Sequence, residues 1–170
     1  MRLDRYYYMS LAENKKKAYR MVYSAVSSFS PSIALRCISI DEAHEIIDWV
    51  LLDNPQLFYF DLRGYTYHVS KATIVLMFSY LCSKSEMKQL ESLIQARAQQ
   101  ILRPMNLSKM SDYEKEKYIH DSLCRDIRYD DVCSENVHIE SHTLWGHCLK
   151  IELCVMAYRR LLNICVMHWI

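Results

Sequence analysis

Apolar residues recur three and four positions apart along most of this chain and alternate only near its middle, so helices are expected on either side of a short run of strands. Ala18, Met21, Val22, Ala25 and Phe29 put one apolar face on a helix from Leu11 to Ser28. Lys15, Lys16 and Arg20 occupy its other faces, and Pro31 closes it. Asp41 predicts the cap of a second helix through Ile46, Ile47, Val50 and Leu51, ended by Asn54-Pro55. Leu57 to Phe60 reads as a short aromatic strand, and Asp61-Leu62-Arg63-Gly64 as a turn. Tyr65 to Val69 alternates as a half-buried strand does, and Thr73 to Leu81 is apolar enough for a buried one. Ser83 and Glu86 are spaced as a capping box, opening a helix with Met87, Leu90, Ile94 and Ile101 inward until Pro104.

A linker from Asn106 to Met110 leads into the stretch that carries the chemistry. Ser111 and Glu114 form a second capping box, which starts a helix at Asp112. Ile119, Leu123 and Ile127 recur every four residues along about four turns, while Glu114, Lys115, Lys117, Asp121, Arg125 and Asp126 lie on the other faces. The division expected is residues 1–104 as one α+β unit and 111–170 as the start of a second.

In the helix, Tyr118-Ile119-His120-Asp121-x-Leu123 leads to Ile127-x-Tyr129-Asp130, and Ser141-His142-Thr143-x-x-Gly146 follows. At these residues the chain resembles the transglutaminase-like branch of the papain-like cysteine protease superfamily, in its bacterial form with a long N-terminal extension. Tyr6-Tyr7-Tyr8, the segment Asp53 to Phe58 and the helix start at Ser83 to Glu86 look like that extension. The resemblance implies an α+β fold: a helical N-terminal extension with a small antiparallel sheet, then the first helices of a transglutaminase-like core. It also implies cysteine-dependent acyl transfer or peptide hydrolysis, in which a thiolate attacks a carboxamide or peptide carbonyl and a His, oriented by an Asp, moves the proton.

By position the implied nucleophile is Cys154. Its surroundings depart from the family's pattern: it falls one residue early, and Met156 stands where the family has Gly. Only His168 follows it, about 21 Å away along a helix if residues 155–170 form one, so no complete Cys-His-Asp set can be written. A reading-frame change near Gly146 explains these departures. With permitted codons, the same nucleotides read one base earlier can encode PLLKNRAVCDGISKAFK, which restores the Cys at the family's spacing and the Gly two residues after it. On this reading residues 147–170 are frame-shifted sequence on a truncated, inactive enzyme. The alternative from another class is a non-catalytic protein-interaction module on the same scaffold.

Composition narrows the remaining choices. Lys and Arg number 21 against 20 Asp and Glu, so no charge excess points to nucleic acid or an anionic membrane. Seven Cys without a C-x-x-C pair argue against a disulfide framework and a zinc ribbon, leaving reduced thiols packed as small hydrophobes. His138, His142, His147 and Cys148 match no strong metal motif, so neither a metal nor a cofactor is expected. His120 and Asp121 read as helix-surface groups, and the 13 Tyr as packing residues rather than a carbohydrate platform. Two Gly in 170 residues require tight turns to be built from other residues. Lys15 to Lys17 interrupts any leader-like apolar run, which makes the cytoplasm the default location although relatives of this type are often exported. No transmembrane span is expected. Leu161 to Ile170 is apolar on nearly every face and predicts self-association. The partner implied for an active enzyme is a protein or peptide substrate.

Overall fold

The computed structural model describes residues 5–126, 128–129 and 152–153, with side chains through Arg125. The fold is α+β, and the chain divides into two compact units, Met1–Lys84 and Ser85–Ile170.

In the first unit, α1 (Tyr6–Ser10), α2 (Glu13–Ser27) and α3 (Ile40–Asp53) accompany strands β1 (Ser32–Arg36), β2 (Thr66–Ser70) and β3 (Thr73–Met77). The sheet is antiparallel in the order β1-β3-β2, with Leu35 opposite Ile74, and Leu76 opposite both Ile33 and Tyr67. Directly opposed residues share a face, so Leu35, Ile74 and Leu76 form one buried layer. Helix α2 packs on α3 and on β1, contributing Ala18, Tyr19, Val22, Ala25 and Val26 to the core. Helix α3 adds Ala43, Ile46, Ile47, Val50 and Leu51. Each such aliphatic side chain contributes about 1.5–3 kcal/mol on full burial, so this layer supplies most of the unit's cohesion.

The predicted helices are present, with differences that have local causes. Met21 faces out at 37% exposure, because the buried stripe runs through Val22 and Val26. The cap of α3 is Ser39, not Asp41: its Oγ accepts from the Glu42 amide at 3.1 Å, and Glu42 accepts in turn from the Ser39 amide at 2.9 Å. Lys15 reaches the same carboxylate at 3.1 Å, tying α2 to α3. Strand β1 was not anticipated. Leu57 to Phe60 is not a strand, because Pro55 opens a 3-10 turn (Pro55–Leu57) and only Phe60 bridges to Tyr80. Strand β2 is exposed throughout, lying at the edge of this sheet beside β3, and β3 stops at Met77 rather than continuing to Leu81.

A chain with two glycines must make positive-φ turns from other residues. Phe29 (φ 60°) follows the Ser28 C-cap of α2, donates its amide to Val26 O and precedes Ser30, whose amide reaches Ala25 O. This is a Schellman closure with Phe in the usual glycine position. The left-handed conformation costs roughly 1–2 kcal/mol in a non-glycine residue. Stacking of the Phe29 ring on Tyr59 at 4.4 Å and 8°, with Tyr80 at 4.8 Å, offsets that cost. Gly64 is needed where it stands: a Cβ there would overlap the Asp61 carboxylate and lie 2.9 Å from Ser79 Cβ. In the β2–β3 hairpin, Lys71 (φ 54°) takes the left-handed position of a two-residue loop.

Helix α1 is too short to persist alone, and its N-cap residue Arg5 makes no side-chain cap bond. Asp53, the last residue of α3, caps it from a distance. Its carboxylate accepts from the Tyr7 amide at 3.1 Å, the Tyr8 amide at 2.9 Å and the Tyr19 hydroxyl at 3.0 Å. Asn54, fully buried, donates to the Tyr19 oxygen at 2.8 Å and to Val50 O at 2.7 Å. Tyr7 stacks on Trp49, and Tyr8 packs against Tyr19. The segment Tyr6 to Tyr8 is thus itself helical.

The second unit contains α4 (Lys84–Leu102), α5 (Asp112–Asp126) and the two-residue strands β4 (Arg128–Tyr129) and β5 (Glu152–Leu153). Ile94, Ala98 and Ile101 of α4 are buried, as are Ile119 and Leu123 of α5. Among the described residues, Cys37 and Cys124 are exposed and Cys82 is half-buried, and none is in a disulfide, so these thiols are not the buried small hydrophobes expected. Cys37 sits at positive φ in the β1–α3 loop, and Cys124 lies off the Ile119–Leu123 stripe. Among the described residues no helix is long and apolar enough to cross a membrane. The apolar stretch 161–170 lies outside the described residues.

Two stability predictions follow from these junctions. Phe29→Ala keeps the positive φ and loses the ring contacts, so it destabilises the fold by about 1–3 kcal/mol. Phe29→Gly recovers roughly 1 kcal/mol of that loss by relieving the backbone. Urea midpoints of the two variants check the order, and Phe29→Gly being no more stable than Phe29→Ala would contradict it.

The second concerns alkaline pH. Burial raises the phenol of Tyr80 to about 12, and burial with the neighbouring Asp53 charge raises that of Tyr19 further. Both groups hold protons in the folded state that the unfolded chain, with a phenol near the ordinary value of 10.0, releases. Their contribution is therefore complete below about pH 10 and falls as pH rises toward 12. The urea midpoint should drop between about pH 10 and pH 12, and less steeply in Tyr80→Phe. An unchanged midpoint across that range would refute the assignment.

Candidate functional site

The segment singled out by its motif opens as expected. Ser111 and Glu114 cap α5 reciprocally: the Ser111 amide donates to Glu114 Oε2 at 2.7 Å, and the Glu114 amide donates to Ser111 Oγ at 3.3 Å. The Ser111 hydroxyl also donates to the same carboxylate, at 2.7 Å. These hydrogen bonds hold the Glu114 carboxyl below its ordinary value. Ile119 and Leu123 turn inward, Tyr118 is half-buried, and His120, Asp121 and Cys124 face outward. Asp126 closes the helix, and β4 then pairs in parallel with β5, Arg128 opposite Glu152 and Tyr129 opposite Leu153. The end of the motif helix is thus tied to the residues directly ahead of Cys154 in the chain. Neither strand was anticipated, because two-residue strands carry no periodic signal.

Cys154 itself lies outside the described residues, as do His138, Ser141, His142, Thr143, Gly146, His147, Cys148, Met156 and His168. Among the described residues, one thiol lies beside an imidazole and a carboxylate. On α5, Cys124 Sγ is 3.8 Å from both ring nitrogens of His120, and His120 Nδ1 is 3.3 Å from Asp121 Oδ1. Asp121 gives its other oxygen to Lys117 Nζ at 2.9 Å; that bond, with the His120 contact, holds the Asp121 carboxyl low. His120 and Asp121 are helix-surface groups, as their positions off the Ile119–Leu123 stripe predict. The i, i+4 spacing of His120 and Cys124 was the available signal.

Three residue types that serve nucleophilic catalysis elsewhere do not make a nucleophilic site here. A sulfur equidistant from both ring nitrogens is aimed at neither lone pair, so the proton has no aligned path to the base. The set stands on an exposed helix surface, with His120 and Asp121 side chains 54% and 51% accessible, in water that screens any developing charge. The amides around it are mid-helix and spent in the helix's own bonds, leaving none for an oxyanion.

In the first unit, a cleft of about 360 Å³ opens between the start of α3 and the β2–β3 turn. Cys37, Ser39, Glu42, Val69, Lys71 and Ile74 line it, and Cys37 (φ 61°) and Lys71 (φ 54°) bring two left-handed backbones to its rim. Its volume is at the lower end of small-molecule clefts. The Ser39 oxygen that faces the α3 amides is already occupied by Glu42.

Among the described residues, no group of three or more His, Cys, Asp or Glu is placed to hold a metal. The class these observations define is an α+β protein with a capped, motif-bearing helix in its second unit. No family model matches the chain, and no curated protein matches it.

The α5 cap is open to a direct test. Ser111→Ala should lower stability by about 1 kcal/mol, and Ser111→Asp should retain most of it, because Asp caps as well as Ser. Equal urea midpoints for wild type and Ser111→Ala would contradict the capping role.

Proposed function

We propose that the chain is a transglutaminase-like protein of the papain-related superfamily, a scaffold whose relatives carry out cysteine-dependent acyl transfer or peptide hydrolysis. The observation that carries this reading is the single stretch Ser111 to Gly146. It joins a box-capped helix bearing Tyr118-Ile119-His120-Asp121-x-Leu123 to Tyr129-Asp130 and then to Ser141-His142-Thr143-x-x-Gly146. Burial of Ile119 and Leu123 fits a motif whose apolar members pack inward.

The reaction of such a protein starts from a thiolate. Its sulfur attacks a Gln carboxamide or peptide carbonyl, and the tetrahedral adduct expels ammonia or an amine that takes its proton from the imidazolium. The resulting thioester passes its acyl group to an incoming amine or to water. The carbonyl substrate is protein or peptide.

The chain as it reads does not perform this reaction itself. Around Cys154 the residues depart from the nucleophile pattern, with the Cys one position early and Met156 in place of Gly. A frame change near Gly146 accounts for both departures at once, making residues 147–170 sequence that was never selected for this fold. The alternative, a scaffold kept as a protein-interaction module, leaves residues 147–170 in their true frame.

Expression of the chain beside a version with one base restored at the Gly146 codon, read on through the downstream coding DNA expected to carry the His and the Asp, tests the proposal. In the restored version one thiol should alkylate with iodoacetamide much faster than the others near neutral pH, and an amine probe should be incorporated into a Gln-bearing peptide or the peptide hydrolysed. The unaltered chain should do neither. A restored version with no fast thiol and no acyl transfer would overturn the reading in favour of the interaction module.

A further inference from the structure

Along the free edge of β2, we propose a binding site for an extended, acidic peptide segment of another protein. The segment adds to the sheet as a fourth strand, turning an apolar side chain into the adjoining cleft and a carboxylate toward Lys71. The site lies within the first unit and is independent of acyl transfer and of the frame beyond Gly146.

Ladder alternation decides which backbone groups of β2 are available. Lys71 and Ala72 form a two-residue loop, so Ser70 and Thr73, the ends of that turn, are a hydrogen-bonded pair. Such pairs alternate along an antiparallel ladder, so Ser70, His68 and Thr66 spend their amides and carbonyls on β3. Those of Tyr67 and Val69 point to the opposite side, where no further strand pairs among the described residues. Exposed edges are usually blunted by Lys, Pro, an inward charge or a bulge. Thr66-Tyr67-His68-Val69-Ser70 carries no Lys, Pro or acid, and its register with β3 runs without a bulge.

The cleft continues from this edge. Tyr67 and Val69 lie opposite Leu76 and Ile74, on the face of the sheet that carries the buried layer, yet they are 46% and 45% exposed. His44 of α3 packs edge-on against the rings of Tyr65 and Tyr67 at 5.8 and 5.4 Å, which fixes Tyr67 as a wall. Val69 and Ile74 also line the cleft of about 360 Å³, together with Ile38 and Ile40. A strand added to β2 turns alternate side chains to this face, so its apolar residues enter a recess that is already apolar.

Charge selects the occupant. Of the charged residues that line the cleft, Glu42 is engaged by Lys15 at 3.1 Å and by the Ser39 amide at 2.9 Å, whereas Lys71 makes no ion pair among the described residues. In a peptide antiparallel to β2 whose central residue sits opposite Val69, the residue two places earlier sits opposite Lys71. An acidic side chain there completes the pair. A second copy of this chain does not supply it: symmetric pairing of the whole of β2 centres on His68 and puts Tyr65 opposite Lys71.

Fluorescence anisotropy of the peptide Glu-Thr-Val-Thr-Leu, labelled at its N-terminus and amidated at its C-terminus, tests the proposal by titration with the full chain. Binding should saturate. Methylating the amide nitrogen of the central valine, which faces Val69, should weaken it about tenfold or more, and methylating either threonine, whose amide points away from β2, by no more than about threefold. Lys71→Glu should reverse the preference between this peptide and Lys-Thr-Val-Thr-Leu, by about two- to fivefold each way. Val69→Pro removes only an outward-facing amide, so it should keep the fold by far-UV circular dichroism and lose the peptide. No saturable binding to the folded wild type, equal losses from all three methylations, an unreversed preference in Lys71→Glu or undiminished binding in Val69→Pro would overturn the site. A dimer of the full chain that Val69→Pro makes monomeric would give the edge to a second copy and overturn it equally.

Discussion

The first unit depends on one buried carboxylate. Asp53 ends α3, where its charge faces the carbonyl end of its own helix, a placement the helix dipole disfavours by up to about 1 kcal/mol at a surface. It remains there because it accepts two α1 amides and the Tyr19 hydroxyl at 2.9–3.1 Å. Charge-assisted hydrogen bonds of that kind contribute roughly 1.5–3 kcal/mol each, which outweighs the dipole. Asn54 completes the cluster by donating to the same tyrosine oxygen and to the carbonyl of Val50. Three helices thus meet at one polar centre, and the apolar layer of α2, α3 and the sheet packs around a position already fixed.

That centre also explains what the sequence could and could not reveal. Periodicity marked α2, α3, α4 and α5, because amphipathic helices repeat their apolar residues every three or four positions. The Ser111–Glu114 box was legible for the same kind of reason: both partners lie within one turn. Asp53 was not legible as a cap, since its donors lie 45 and 46 residues away and follow no local rule. The strand expected at Leu57 to Phe60 is absent because the fixed φ of Pro55 opens a 3-10 turn that aromatic β-propensity does not overcome. Strand β1 was missed because Ser32-Ile33-Ala34-Leu35-Arg36 is a short alternation whose partner, β3, lies some forty residues on.

For the candidate site, legibility divides at α5. The inward positions Ile119 and Leu123 could be read from spacing, and the cap from its box. The His120–Cys124 pair is marked in the sequence only by its i, i+4 spacing, a signal that many surface pairs share. Whether a surface thiol beside an imidazole can pass it a proton is decided by direction and solvent, which only geometry supplies. The glycine shortage had the opposite fate. It was visible in composition, and the structure answers it with Phe29, Cys37 and Lys71 at positive φ, each in a turn that another protein would give to glycine.

The functional reading rests on whether the residues after Gly146 share a frame with the motif before it. Sequencing of the coding DNA from the Gly146 codon through several hundred bases downstream decides this directly. An additional base that restores Val-Cys-Asp-Gly, followed by an open frame carrying a His and an Asp, is the result expected of a transglutaminase-like enzyme. An unaltered frame, with no such segment in any register downstream, would contradict it.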